Sequence, residues 1–165
     1  MTLTTHAITG AALAALIPAH PVLGFAAGFT SHFVLDAIPH WAYSIKSLKE
    51  DEENPMNNDM VIGKEFYEDL LKIGIDALLG LSASLVILSG ILKFSPLAVL
   101  SGAVGGILPD ALQFAYWKWR HQPLTGLHWF HIHIHAKSDL NDKPVMGVLL
   151  QIAFVFVILF FTSLF

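Results

Sequence analysis

The chain has 165 residues, of which 55% are hydrophobic and only 13% charged, with a net charge of −4 and no cysteine. A soluble domain of this length carries about a quarter charged residues, so the composition selects the membrane class, with the lipid bilayer as partner and one domain over 1–165. The negative balance argues against nucleic acid as a partner, and the lack of thiols leaves nine histidines and the carboxylates to hold any metal.

Met1-Thr2-Leu3-Thr4-Thr5-His6 has no basic start. The first apolar run, about Thr5 to Ile17, therefore reads as a retained helix rather than a secretory signal. Pro18 and Pro21 punctuate a tight turn into a second helix, about Pro21 to Ile38, giving an antiparallel hairpin. That helix ends in Ser31-His32-Phe33-Val34-Leu35-Asp36-Ala37-Ile38-Pro39-His40, which spaces His32, Asp36 and His40 four residues apart. Residues one turn apart share a helix face, and imidazole with carboxylate suits zinc, with manganese or iron as alternatives. A carboxylate there can also bridge two metals. The plainer alternative is a helix-end Asp–His hydrogen bond.

His40 to Lys64 carries the acidic run Glu50-Asp51-Glu52-Glu53 and Asn54-Pro55, and reads as a solvated, mobile loop over about 41–64. The third helix, about Glu65 to Leu92, presents Glu65, Asp69, Lys72 and Asp76 as a narrow polar stripe. Asp76 is followed only by apolar and small residues, so its carboxylate needs a partner: a metal site, or Lys72 one turn earlier. Glu65 and Asp69 read as solvated interfacial charges. The fourth helix, about Leu97 to Trp119, is interrupted by Pro109-Asp110, where proline loosens the helix and Asp110 turns into the bundle or caps the broken turn.

A His-rich segment follows over about 120–137. In His128-Trp129-Phe130-His131-Ile132-His133-Ile134-His135, a strand would align His131, His133 and His135, whereas a helix aligns His128, His131 and His135. Thr125 is a suitable N-cap and a lone strand finds no partner among membrane helices, so a helix is expected, with His133 facing away. The dull alternative is an interfacial helix with Trp129 and Phe130 at headgroup depth and wet histidines. His121 reads as a loop residue. About Pro144 to Phe165 is uncharged and long enough to span, with Gln151 its one strongly polar side chain. The fold class expected is all-α: a membrane bundle of about five helices, a short N-terminal hairpin plus three longer helices, and a His-bearing interfacial helix.

Gly24 with Gly28, and Gly102 with Gly106, repeat small residues at the spacing that lets membrane helices approach closely. Alternating helices put Lys46, Lys49, Lys64, Arg120, Lys137 and Lys143 at the end holding the N-terminus, and only Lys93 opposite. An excess of Lys and Arg marks the cytoplasmic side, so that end is expected to face the cytoplasm. The same end gathers His6, His32, Asp36, His40, Asp110 and the late histidines. Candidate metal ligands are thus His6, His32, Asp36, His40, Asp76, Asp110, His128, His131 and His135, with Asp36 and Asp110 as candidate catalytic groups.

Thr5-His6-Ala7-Ile8-Thr9-Gly10, Gly28-Phe29-Thr30-Ser31-His32-Phe33-Val34-Leu35-Asp36 with Pro39-His40-Trp41, and Gly106-Ile107-Leu108-Pro109-Asp110 resemble the bacterial predicted membrane-bound metal-dependent hydrolases, the YdjM-like, LexA-regulated inner-membrane hydrolases. That family is similar in its His/Asp pattern to zinc phospholipase C. The resemblance implies hydrolysis of a phospholipid or another phosphoester at a site of two or three metals in a bacterial inner membrane. It maps onto His6, His32, Asp36 and Asp110, with His131 and His135 in the late-histidine role. The chain departs from the family in lacking a His-Arg-Gly-x-Thr-His-Ser segment, and in continuing Pro109-Asp110 with Ala111-Leu112-Gln113.

Neither a Gly-x-Ser-x-Gly elbow nor His-Glu-x-x-His is present. Three functions follow from the pattern: a cytoplasm-facing metal hydrolase, a metal-ion or proton transporter using the same residues, and a structural membrane protein with interfacial histidines. The transporter requires a polar path to the far side, where the chain offers His20, Ser84, Ser89 and Lys93.

Overall fold

The Thr2 side chain accepts from the Thr5 amide and opens the first helix, α1 (Leu3–Ala15). A computed structural model describes residues 1–137 and 140–165; Ser138 and Asp139 lie outside the described residues. Pro21 starts α2 (Pro21–Asp36), where its missing N–H costs nothing. Pro39 disfavours helix at the residue before it, and α2 stops at Asp36, two residues short of the expected end. α3 (Lys64–Ser84) runs on into a π-helical stretch, Leu85–Ile91. Lys93, at φ 67°, then turns the chain, and its Nζ donates to the Gly90 carbonyl at 2.6 Å. α4 (Pro96–Lys118) stays helical through Pro109. α5 (Leu124–Ile134) and α6 (Pro144–Thr162) complete the set.

Among the described residues the fold is all-helical apart from one short strand pair. Lys64–Ile91, Pro96–Lys118 and Pro144–Thr162 are long and apolar enough to cross a membrane. Their outward residues, among them Leu71, Leu78, Val86, Leu149, Phe156 and Phe160, are exposed.

α1 sits at the centre, buried on nearly every side and touching α2, α3, α4 and α6. Glycine makes this possible. A Cβ on Gly28 would run into the Gly102 carbonyl, one on Gly102 into the Gly10 carbonyl, and one on Gly106 into the His6 carbonyl. The small-residue pairs are therefore helix crossings, as their spacing predicts. Beside them a dry core forms from Ala7, Ala11, Ala12, Ala15, Leu88, Val99 and Ala103.

The expected mobile loop carries fixed structure. Strands β1 (Leu48–Lys49) and β2 (Asp59–Met60) pair antiparallel, Leu48 opposite Met60, and a 3-10 turn covers Pro55–Asn57. The basic end of α4 holds this strap. Lys118 Nζ donates to Asp59 Oδ1 and the Met60 carbonyl, both at 2.6 Å, while Arg120 donates to the carbonyls of Met56, Asn57 and Asn58. Glu50, Glu52 and Glu53 are exposed, as their charge requires.

Candidate metal centre

Asp36 is the hub. Its Oδ2 lies 3.1 Å from His32 Nε2 and 3.2 Å from His131 Nε2, and its Oδ1 lies 3.2 Å from His6 Nε2 and 3.7 Å from His40 Nε2. The Met1 amino nitrogen also stands 3.2 Å from Oδ1. His32 and Asp36 meet because they are one turn apart on α2; His131 arrives from α5 and Asp110 from α4. Asp110 Oδ1 is 3.5 Å from His32 Nε2 and 3.9 Å from His131 Nε2, and the two imidazole nitrogens are 3.4 Å apart.

These four donor atoms converge within 4.8 Å of one another, as do those of Asp36, His40 and His135. Asp36 belongs to both groups. His32 is 0%, Asp36 2% and His131 4% exposed, whereas the Asp110 side chain is 37% exposed. The first group is closed on three sides and opens at Asp110.

One hydrogen bond fixes what this cluster can do. His32 Nδ1 lies 2.7 Å from the Gly106 carbonyl oxygen. A carbonyl only accepts, so Nδ1 carries a proton, and Nε2 faces Asp36, Asp110 and His131. Imidazole nitrogens and carboxylate oxygens that converge in this way share either protons or a metal ion. The separations fit a metal. Ligand atoms at about 2.0–2.1 Å from zinc with tetrahedral angles stand about 3.4 Å apart, against 3.1–3.9 Å here.

His6 is fully buried and stacks on His32 at 3.9 Å between ring centres. Its Nε2 is close to Asp36 but not in hydrogen-bonding direction, and neither ring nitrogen has a hydrogen-bond partner among the described residues. It adjoins both groups without belonging to either. His40 and His135 meet at 4.9 Å between ring centres. Burial holds His40 below the ordinary imidazole pKa and so favours its neutral form. The 128–135 segment is helical through Ile134, as expected, and His133 is exposed and stacked on Trp129. The N-cap is Pro123 rather than Thr125, which lies inside the first turn.

Besides His6, two further expected ligands lie outside both groups. His128 is only 1% exposed, but its ring stacks on Tyr116 at 4.3 Å, outside both groups. It sits three residues before His131, and that turn carries it under the strap. Burial lowers its pKa from 6.5 to about 4, with the neighbouring His131 charge adding to the shift. The unfolded chain therefore binds this proton more readily than the folded one between pH 6.5 and about 4. Stability is lost as pH falls through that window. His128→Phe is expected to flatten this acid loss in thermal unfolding scans and to leave metal content unchanged.

Asp76 lies outside both ligand groups and does not pair with Lys72. Its carboxylate accepts from the Leu3 amide at 2.7 Å, the Thr4 amide at 3.1 Å, the Thr4 hydroxyl at 2.7 Å and the Tyr43 hydroxyl at 3.2 Å. It caps the N-terminus of α1, whose first amides have no helical partner. Lys72 instead pairs with Asp69 at 3.0 Å. Asp69, expected to be solvated, is fully buried and also accepts from the amide and hydroxyl of Ser47 at 2.8 Å. Asp76→Ala strands two buried amides and is expected to cost about 3 kcal/mol, read from detergent unfolding. Full stability in that variant would contradict the capping role.

Sequence reasoning did not find the backbone carbonyls that hold the histidines, nor the role of Gln151. Gln151 Oε1 accepts from the Thr2 amide and the Thr2 and Thr5 hydroxyls, each at 3.1 Å, and its Nε2 donates to the Trp41 carbonyl at 2.9 Å. A single amide in an otherwise apolar span was the available signal. The chain matches no protein-family model, no curated protein and no solved structure in comparisons with each.

Proposed function

We propose that this protein is a membrane-embedded, metal-dependent hydrolase of phosphoesters, with zinc held by His32, Asp36 and His131 and Asp110 beside it at the open position. The observation that carries this reading is the convergence of two imidazole nitrogens and two carboxylates on one point, with the His32 ring held by the Gly106 carbonyl at its other nitrogen. A divalent metal bound there supplies a Lewis acid for a phosphoryl oxygen. Asp36 holds the two histidines in register. Asp110, the exposed member, would face the entering phosphoester, accept a proton from the attacking water and return it to the alcohol oxygen as the phosphorus–oxygen ester bond breaks.

A lipid phosphoester suits the surroundings. Phe25, Phe29 and Phe33 form a file along α2 with ring centres 6.2 and 5.4 Å apart; Phe130 joins it at 5.0 Å, and Phe33 touches both His32 and His131. Phe25 and Phe29 are half-buried and Phe130 and Trp129 exposed, so this aromatic wall joins the site to the bilayer-facing surface. The Lys and Arg bias supports a cytoplasmic face for the site, and the resemblance to the YdjM-like inner-membrane hydrolases accords with both readings. The dry core of small and apolar side chains beside the site favours a hydrolase over a transporter.

The deciding measurement is elemental analysis of purified protein, followed by hydrolysis assays with soluble and vesicle-borne phosphoesters. One zinc or more per chain with phosphoester cleavage is expected. Absence of metal after zinc addition would sink the reading.

A further inference from the structure

Gln151 is buried in an otherwise apolar span, where an amide is costly unless its polar atoms find partners. Its Nε2 donates to the Trp41 carbonyl at 2.9 Å, and its Oε1 accepts from the Thr2 amide at 3.1 Å. The first contact reaches the residue directly after His40, and the second reaches the N-cap of α1. One turn earlier on the same face of α6, a Cβ on Gly147 would run into the Trp41 Cβ, so α6 lies directly against this segment. The His40 carbonyl is held separately by the Leu140 amide at 3.0 Å. These outer contacts matter because α2 has already ended at Asp36, and no helix fixes the main chain at His40. The other ligand group is built differently: His32, Asp110 and His131 all stand inside helices, on α2, α4 and α5.

We infer that Gln151 is a positioning residue for His40. Its amide fastens the main chain beyond the end of α2 to the start of α1, and Gly147 lets α6 come close enough for it to do so. His40 is thereby kept 3.7 Å from Asp36 Oδ1, with its ring against that of His135. A side chain on irregular backbone holds its place only as well as its supporting contacts do, and here one of those supports comes from a membrane-spanning helix. An amide that merely tied α6 to the bundle would act on all the buried histidines alike. Gln151 instead acts on the Asp36–His40–His135 group and not on the one that His32 and His131 form. The use of this fixing for metal rests on the metal-centre reading; the fixing itself is a property of the metal-free chain.

The test treats the full-length, metal-free protein in nanodiscs with diethyl pyrocarbonate and follows modification of each histidine by mass spectrometry. In the wild type the buried His32 and His40 are expected to react slowly and the exposed His20 and His133 fast. Gln151→Met keeps the length of the side chain and removes its polar atoms. It is expected to speed modification of His40 about tenfold while His32 stays slow. Gly147→Ala, which sets a methyl group against Trp41, carries the same expectation and serves where Gln151→Met does not fold. Zinc titration is the second readout. In a His131→Ala background Gln151→Met should weaken binding by about 10–100-fold, and in a His135→Ala background it should change nothing. An unchanged His40 rate in the folded variants overturns the inference, as does an equal rise at His32 or loss of the fold in both variants. Zinc binding that falls equally in the two backgrounds, or in neither, overturns it too and leaves the metal-centre reading standing. Release of His40 alone in a protein that takes up no zinc removes the metal-centre reading and leaves this one standing.

Discussion

Asp36→Ala is expected to empty both ligand groups at once, because Asp36 is the residue they share. Metal content should fall from one or more zinc per chain to background, and phosphoester cleavage should fall with it. No other single change is expected to do as much: His135→Ala touches only the second group, and Asp110→Ala only the first. The variant also leaves buried imidazoles without their acceptor, at a cost of about 1–3 kcal/mol. Asp36→Asn separates the two effects, since it keeps the shape and one acceptor oxygen while removing the charge. It should remain folded and lose the metal. Exposed His133, changed to alanine, serves as the control with unaltered metal content. Full zinc occupancy in Asp36→Ala would place the metal elsewhere.

The second large effect is steric. Gly10, Gly28 and Gly102 face one another where α1, α2 and α4 cross, and a Cβ on Gly102 would meet both the Gly10 carbonyl and the Ala14 Cβ. Backbone cannot yield as a flexible side chain does, so Gly102→Leu should cost more than about 3 kcal/mol, beyond ordinary overpacking. It should also pull α4 away from α2, and with it the Gly106 carbonyl from His32. Loss of the folded state in detergent, or a folded state without zinc, is the expected result. Gly74, which has open space around it, provides the contrast: Gly74→Ala should be neutral or stabilising by up to about 1 kcal/mol.

Much of this was legible in the chain because it is local. The four-residue spacing of His32 and Asp36 and the outward turn of His133 follow from helix periodicity alone. So does the meaning of the glycine pairs. Asp76 and Asp69 were misread for the opposite reason. Their partners, the amides of Leu3 and Thr4 and the amide and hydroxyl of Ser47, come from segments distant in sequence. A charge stripe on one helix says that partners are needed and not which ones. His128 shares the helix face of His131, yet one turn along α5 is enough to carry it from the ligand cluster to Tyr116. The strap escaped notice because its acidic run is solvated. What holds the strap is the capture of backbone carbonyls by Arg120 and Lys118, which composition does not reveal.

The central position of α1 has a consequence for how the protein is made. α1 touches α2, α3, α4 and α6, and all four are synthesised after it. It bears threonines, a histidine and a glycine on surfaces that these helices cover, and at 13 residues it is too short to span a bilayer comfortably by itself. Its seat is complete only once α6 has joined the bundle. A ribosome stalled before α6 would hold a chain with every candidate ligand translated and the central helix still uncovered on one side.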